Sequence, residues 1–221
     1  FKNRIINGAM MIDQRNAGAS VTASNSDAYP VDRFVLVNVS DGAQTGQQNT
    51  SAPAGFKTSV KITTTTADSS LTGTQRAIYM HKIEGYNVAD LGWGAAGAST
   101  VTLSFWVRSS LTGTFGGSIQ NSALDRSYPF TYTISSVDTW EYKTITIAGD
   151  TTGTWLTTNG IGMYVQLGLG VASGFSGTAG SWAGADYRSA TGATSVIGTL
   201  SATWYVTGVQ LEKGSTATSF D

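Results

Sequence analysis

Few side chains in this sequence have the types and spacing that catalysis requires. The 221 residues include one histidine, His81, and no cysteine. One histidine cannot form a multi-histidine metal site, and no thiolate is present to act as ligand or nucleophile. No Gly-x-Ser-x-Gly sequence lies in a strand–turn–helix context that would complete a catalytic triad. We therefore prefer to interpret His81 as a residue of a sheet face or of the surface.

The acidic side chains are the other candidates for catalysis. A glycosidase needs two carboxyl groups about 5–9 Å apart. Most of the 14 Asp and Glu residues lie at the ends of predicted strands or in predicted turns, where Asp is a common residue. The Gly168-Leu169-Gly170 sequence is followed by no helical pattern, so no phosphate-binding loop is indicated. We therefore expect no enzymatic activity and no cofactor.

Oxygen-bearing side chains near the two ends of the chain could hold a structural ion. Asn7 and Asp13 lie near the beginning, and Glu212 and Asp221 lie near the end. Such groups could bind calcium if the ends meet, because calcium takes oxygen ligands. The alternative, which we favour, is that they are caps and turn residues.

The aromatic residues are more informative, since this polar chain has 6 Trp and 9 Tyr. Several lie on the polar phase of a predicted strand or in predicted loops, beside amide or guanidinium groups. Such surfaces suit sugar rings, which stack on aromatic faces while their hydroxyls form hydrogen bonds. The alternative is that these rings are buried against a loop or another subunit. The candidate ligand-binding residues are Trp106, Arg108, Tyr164 and Gln166, which we expect to line the sheet face, with Trp93, Trp182 and Tyr187 from loops.

The elements that would position these residues are β-strands. In residues 100–109, large apolar residues alternate with Thr, Ser, Trp106 and Arg108, as in a strand with two different faces. Residues 161–169 repeat the pattern, and no segment shows a helical period with caps. We predict an all-β fold of about nine short strands with long loops, a β-sandwich of jelly-roll type. One domain should span residues 1–221.

The last segment of the sequence, residues 201–221, has a special place in this prediction. Residues 204–211 alternate large and small side chains and end at Glu212-Lys213-Gly214. A well-patterned strand in this position is expected to be paired, so we predict that it is central in its sheet and closes the fold. Phe220 is expected to fix the tail that follows onto the body of the domain.

The composition excludes several functional classes. Charged residues make up 12% of the chain and the formal net charge is −1, so the basic surface of a nucleic-acid-binding protein is absent. No apolar run approaches the roughly 18–20 residues of a membrane helix. The first 16 residues contain polar breaks at Asn7 and Asp13 and do not resemble a signal peptide. The lack of cysteine is typical of folding in a reducing cytoplasm.

Several motifs resemble jelly-roll domains of bacteriophage tail fibres and other virion surface proteins. The resemblance begins at residues 3–15 and includes Tyr29-Pro30-Val31-Asp32-Arg33-Phe34, which is similar to the Tyr-x-x-Asp-Arg-Trp step of those domains with Phe34 in place of Trp. It continues, in order, over nearly the whole chain. These domains also resemble carbohydrate-binding modules of glycoside hydrolases. The other matching segments are Ile83-Glu84-Gly85 and residues 101–108 and 208–214.

The resemblance implies a jelly roll at the surface of a virion, made in the host cytoplasm and in contact with other virion proteins. It also implies a homotrimer, because tail fibres are usually trimeric, and it carries over no catalytic residue. Since the sequence begins at Phe1 and not at Met, it could be a fragment of a longer fibre.

Three functional hypotheses follow, in decreasing order of preference. The first is a non-enzymatic virion domain that binds polysaccharide of the host cell surface through an aromatic and polar face. The second is a structural virion protein, such as a capsid decoration or a fibre-connecting domain, whose aromatic surface is covered by protein neighbours. The third is a glycan-degrading enzyme.

Overall fold

The structure is a computed structural model that describes residues 2–221. Almost all of its regular elements are β-strands, as the alternating sequence patterns predict. In chain order the strands are β1 (Val21–Ser24), β2 (Asp27–Val31), β3 (Phe34–Val39), β4 (Ala43–Asn49), β5 (Ser59–Thr66), β6 (Arg76–Glu84), β7 (Val101–Ser109), β8 (Gly113–Asn121), β9 (Ser127–Ile134), β10 (Glu141–Ile147), β11 (Ile161–Val171), β12 (Ser176–Gly177), β13 (Ser189–Ala190) and β14 (Thr203–Lys213).

Twelve of these strands form two antiparallel sheets of six strands each. The front sheet has the order β1-β4-β5-β14-β7-β10, and the back sheet has the order β2-β3-β6-β11-β8-β9. The chain passes repeatedly from one sheet to the other, so neighbours in a sheet are mostly distant in sequence. The two sheets pack as a sandwich of jelly-roll type, which confirms the predicted fold class.

The core lies between the two sheets and consists of the inward phase of each strand. Its largest fully buried side chains include Trp204, Tyr79, Phe105, Phe115 and Phe130. Some polar groups inside the core have hydrogen-bond partners; the Trp204 indole N–H, for example, donates to the hydroxyl of Tyr132 at 3.3 Å. Because the inward side chains form this core, only the outward side chains of each sheet can contact solvent, loops or ligands.

The strand count is 14 and not nine. The long strands with clear alternation, such as β7 and β11, were predicted correctly. The missed ones are polar or glycine-rich, such as β4 (AQTGQQN) and β8 (GTFGGSIQN). They pair through backbone hydrogen bonds, which leave no trace in a hydrophobic pattern. Residues 16–30, which are small and polar and show no strand pattern, contain β1 and most of β2.

β14 confirms the prediction made for the end of the sequence. It runs between β5 and β7 in the middle of the front sheet and is buried over nearly its whole length. The segment before β1 lies along it, since Arg4 N–H donates to the Leu211 carbonyl at 2.9 Å and Val209 N–H donates to the Gly8 carbonyl at 3.0 Å. β14 is thus the element on which the two ends of the described chain meet.

Helical structure within residues 2–221 is limited to three 3₁₀ turns of three residues each. This agrees with the absence of a helical period in the sequence. None of these turns has the length and apolar character of a membrane-crossing helix.

Candidate functional site

The predicted ligand-binding residues do not form one site. Trp106 and Arg108 lie on the outward phase of β7 in the front sheet, whereas Tyr164 and Gln166 lie on the outward phase of β11 in the back sheet. The outer faces of two packed sheets point in opposite directions, so these two pairs are on opposite sides of the sandwich. The prediction that all four line one sheet face is wrong in this respect.

Trp106 lies in a cleft of about 360 Å³ on the outer face of the front sheet. Its neighbour across the β7–β10 pair is Tyr142, and their ring centroids are 5.3 Å apart. Trp106 is half-buried, whereas Tyr142 is 43% exposed. We call this the aromatic cleft; it is lined by Phe56, Ser104, Trp106, Tyr142, Gly208 and residues 217–220.

One wall of the aromatic cleft is the tail that follows β14. Gln210 Nε2 donates to the carbonyls of Thr218 and Ser219 at 3.3 and 3.4 Å, and Thr218 N–H donates to Glu212 Oε1 at 2.8 Å. The Phe220 ring packs edge-on against Phe56, with centroids 5.2 Å apart. This confirms that Phe220 fixes the tail to the body of the domain, and it gives the cleft a second pair of aromatic rings.

A glycine in β14 leaves room for the Phe56 ring in the wall of the cleft. Gly208 has a φ of +62°, and a Cβ atom there would come within 2.6 Å of the Phe56 ring. Its backbone lies where the β14–β7 register shifts, between Thr207 and Gln210. A residue with a side chain would be strained by the left-handed backbone and would push Phe56 away.

Arg108 lies on the same outward phase of β7 as Trp106 but does not line the aromatic cleft. Nη1 donates to Ser51 Oγ at 3.0 Å, Nη2 donates to Asp138 Oδ1 at 3.3 Å, and the guanidinium lies over the Tyr205 ring at 4.9 Å. Arg108 Nε and Thr207 Oγ1 are buried on this face with no hydrogen-bond partner within residues 2–221. The predicted role of Arg108 in direct ligand contact stays a prediction.

On the back sheet, Tyr164 is half-buried and pairs across the strands with Lys82 and Gln120. Gln166 is only 1% exposed, and its Nε2 donates to Gln120 Oε1. Gln120 in turn donates to Asp186 Oδ1 at 2.7 Å. Gln166 therefore holds a network beneath the surface, whereas the Tyr164 ring is accessible.

Trp93 and Trp182 lie in loops, as predicted, but away from the aromatic cleft. Together with Trp155 they form a cluster of edge-to-face rings, with centroids 4.7–5.6 Å apart. The indole N–H groups of Trp93 and Trp182 donate to backbone carbonyls at 2.7 and 2.8 Å. Tyr187 is half-buried and packs on Gly177. These contacts suit a role in holding loops together.

A buried ion pair adjoins this tryptophan cluster. Arg126 donates to both carboxylate oxygens of Asp150 at 2.8 and 2.7 Å, and the Asp150 side chain is only 2% exposed. Burial raises the pKa of Asp150, but hydrogen bonds from Arg126, Thr152 and Trp155 together lower it by more. The pKa of Asp150 therefore lies below its usual value. The carboxylate is thus held charged as a structural anchor.

His81 lies on the inward phase of β6 and is 1% exposed. Its ring centroid is 4.6 Å from that of Phe34, and neither ring nitrogen has a hydrogen-bond partner within residues 2–221. Burial, assisted by the charge of Arg33, lowers its pKa from 6.5 to about 3. His81 is therefore a neutral residue of a buried sheet face, not of the surface.

The side chains considered as calcium ligands have partners in the protein. Asn7 donates to two backbone carbonyls, Asp13 accepts three hydrogen bonds within its own turn, and Glu212 accepts bonds from Thr218. Burial raises the pKa of Glu212, but these bonds lower it more strongly. At Asp221 the backbone N–H, not the carboxylate, is bonded. Within residues 2–221, no three His, Asp or Glu side chains converge as a metal site would require.

Comparison with known proteins gives structural likenesses only. No protein-family model and no curated protein matches the sequence. A tailspike domain of bacteriophage CBA120 is similar at a TM-score of 0.49 and 11% identity; the match covers 96% of this chain, which spans only 21% of that one. A putative sugar-binding protein of Bacteroides thetaiotaomicron is similar at 0.49 and 11%, covering 96% and 100% of the two chains.

A CBM4 structure is similar at a TM-score of 0.44 and 16% identity, covering 95% of this chain and 99% of the other. At such TM-scores and identities we base no functional inference on these likenesses. The residues that sequence reasoning missed are Tyr142 and Phe56. The alternation of residues 140–147 places Tyr142 on the polar phase, but only the pairing of β10 with β7 brings it beside Trp106.

Proposed function

We propose that this chain is a non-enzymatic domain that binds polysaccharide in the aromatic cleft. The observation that carries the proposal is the pair of Trp106 and Tyr142, two adjacent accessible rings in a cleft of about 360 Å³. Single exposed aromatic residues are common on protein surfaces, but a side-by-side pair in a cleft is a stacking platform for successive sugar rings.

The polar parts of the cleft supply hydrogen-bonding groups. Ser104 lies on the floor, and the backbone of residues 217–220 forms a wall. Few well-placed polar groups among apolar ones are typical of sites for neutral, hydroxyl-rich ligands. The cleft is open, so a chain longer than one sugar could pass through it. No pair of carboxylates lines the cleft, so it offers no general acid and base.

We propose further that the polysaccharide belongs to a host cell surface and that the domain acts at the surface of a bacteriophage particle, as a homotrimer. The support for this setting is the ordered sequence resemblance to virion jelly-roll domains. In the structure, the Asp32-Arg33 step of that resemblance is the turn between β2 and β3, and the Asp32 carbonyl accepts a hydrogen bond from Asn7 Nδ2 at 2.9 Å. The first two segments of the resemblance, residues 3–15 and 29–34, are thus in direct contact.

A panel of purified bacterial surface polysaccharides tests the proposal. We expect at least one to bind, with a saturable change in tryptophan fluorescence, and Trp106→Ala to weaken binding by about tenfold or more. Tyr86→Ala is the matched control, because Tyr86 is 68% exposed and lies outside the aromatic cleft. Equal affinity of the two variants, each with an unchanged melting temperature, would contradict the assignment of the cleft.

The second candidate, a structural virion protein, makes a different prediction for the same residues. If the aromatic cleft docks a protein neighbour, no polysaccharide should bind, and Trp106 and Tyr142 should be protected from solvent in the assembled particle. Quenching of tryptophan fluorescence by acrylamide, compared between particle and isolated domain, distinguishes the two functions.

A further inference from the structure

A second cleft, on the opposite side of the sandwich, has a pronounced positive charge. It has a volume of about 360 Å³, and its charged lining residues are Arg15, Arg33, Lys82 and Glu84. This is three positive groups against one negative, whereas the whole chain has 13 against 14. The cleft therefore has a local charge that the overall composition conceals.

Two of these cations have no counter-charge in the protein. Arg33 pairs with Glu84, which neutralises both. Arg15 and Lys82 make no ion pair and no side-chain hydrogen bond within residues 2–221. The Arg15 guanidinium lies over the Tyr29 ring, 4.6 Å from its centroid. Stacking on the ring leaves the N–H groups of Arg15 at its edge free to bind an anion.

One residue that lines this cleft, Arg33, has an unusual backbone conformation. Arg33 has a φ of +74°, in the left-handed region that residues with side chains rarely adopt. This conformation at the β2–β3 turn directs Arg33 toward Glu84 of β6. Residues in such conformations are concentrated at binding and catalytic sites.

The positive charge continues along the outer face of the back sheet. Lys82 also lines a neighbouring groove of about 190 Å³ that contains Tyr164 and Arg76. Lys82 and Arg76 both lie on the outward phase of β6, six residues apart, which corresponds to about 20 Å along a strand. Arg76 lies over the Phe175 ring at 5.1 Å, and its Nε is buried with no partner within residues 2–221. Tyr164 is the cross-strand partner of Lys82.

We propose that this surface, from Arg15 and Lys82 across Tyr164 to Arg76, is a second ligand site, which we call the basic groove, and that it binds an acidic polysaccharide. The free cations would each take an anionic group, and the Tyr164 ring would stack on a sugar beside Lys82. Cations repeated over about 20 Å suit a polymer with repeated charges better than one small anion.

Features of the basic groove favour a glycan over a nucleic acid as the occupant. The groove lining includes the apolar Val37, Val39 and Met80 and the acidic Asp27. Its third cation, Arg188, is paired with Asp186. Nucleic acids require denser positive charge, because every nucleotide carries a phosphate. Carboxylates and sulfates, which sugars carry at intervals, match isolated Arg and Lys groups beside one aromatic ring.

The test uses dextran sulfate, polygalacturonate, neutral dextran and single-stranded poly(dT) with the full chain, by calorimetry at low salt. We expect one or both acidic polymers to bind, dextran not to bind, and affinity to fall as salt rises. The variant Arg15→Gln with Lys82→Gln should weaken binding by about tenfold or more. The control Lys57→Gln with Lys213→Gln removes the same charge from exposed positions outside the groove and should leave the affinity unchanged.

Comparison with Trp106→Ala separates this site from the aromatic cleft. That variant should bind acidic polymers as the unmodified protein does. The proposal for the aromatic cleft and the proposal for the basic groove can therefore be refuted independently. Preference for polygalacturonate or for dextran sulfate identifies carboxylate or sulfate as the recognised group. Equal losses in the two double variants, loss in Trp106→Ala, no binding of either acidic polymer, or tighter binding of single-stranded poly(dT) would each overturn the proposal.

Discussion

His81 should make the stability of the fold depend on pH between pH 7 and pH 5. It is the only histidine of a chain without cysteine. Its folded pKa is about 3, because it is buried with neither nitrogen hydrogen-bonded, whereas its ordinary value is 6.5. The unfolded chain therefore binds a proton at pH 5 that the folded chain does not bind.

The sign and the magnitude follow from these two values. The contribution is fully present above pH 6.5 and is lost as the pH falls toward the folded value near 3. Each pH unit in this interval costs about 1.4 kcal/mol. Between pH 7 and pH 5 the free energy of unfolding should thus fall by about 2 kcal/mol. The carboxyl groups of Glu84 and Asp150 have ordinary pKa values of 4.5 and 3.8, so most of their contribution lies below pH 5.

Urea unfolding at pH 7, 6 and 5 measures this loss as a shift in midpoint at constant slope. The matched variant is His81→Leu, which keeps an apolar contact with Phe34 and removes two buried nitrogens without partners. The free energy of unfolding of this variant should not change between pH 7 and pH 5. At pH 7 it should be at most about 1 kcal/mol lower than that of the unmodified protein. Parallel pH profiles for the two proteins would refute the reasoning.

Two further predictions concern stability, and both are checked by urea unfolding at pH 7. Asp150→Asn should lower the free energy of unfolding by about 3 kcal/mol, because it leaves Arg126 unpaired beside a nearly buried position. The control Asp138→Asn, at a position 53% exposed, should cost less than about 1 kcal/mol; similar losses would contradict the distinction between the two pairs. Gly208→Ala should cost about 1–2 kcal/mol, through its left-handed backbone and its contact with Phe56, and an unchanged midpoint would contradict both causes.

The sequence allowed the sandwich to be predicted because its long strands alternate over seven or more residues. In β7 the first four of the five inward positions are apolar, which leaves a single choice of face. The same logic located Trp106 and Tyr164 correctly on outward phases. Strands β4 and β8 were not predictable, because their glutamines and glycines give no alternation of apolar and polar residues. These strands form through backbone pairing and close packing and not through the burial of large apolar side chains.

The grouping of the candidate site residues could not be predicted, for a topological reason. Alternation shows whether a side chain points inward or outward, but it does not show to which sheet the strand belongs. β7 and β11 have similar patterns and lie in different sheets, so Trp106 and Tyr164 were wrongly assigned to one face. The aromatic cleft depends on the β7–β10 pairing, and the basic groove depends on the β6–β11 pairing; both are long-range contacts.

The central position of β14 has a consequence for how the protein is made. Thr203 pairs with Thr63, 140 positions earlier in the chain, and Val206 pairs with Val107. Until β14 has been synthesised, the half-sheets β1-β4-β5 and β7-β10 remain separate, each with an open edge of backbone hydrogen-bonding groups. Contacts of such long range make folding slow. The nascent chain therefore passes through a period in which two open edges compete for pairing, and a chaperone that shields them during that period would raise the yield of folded protein.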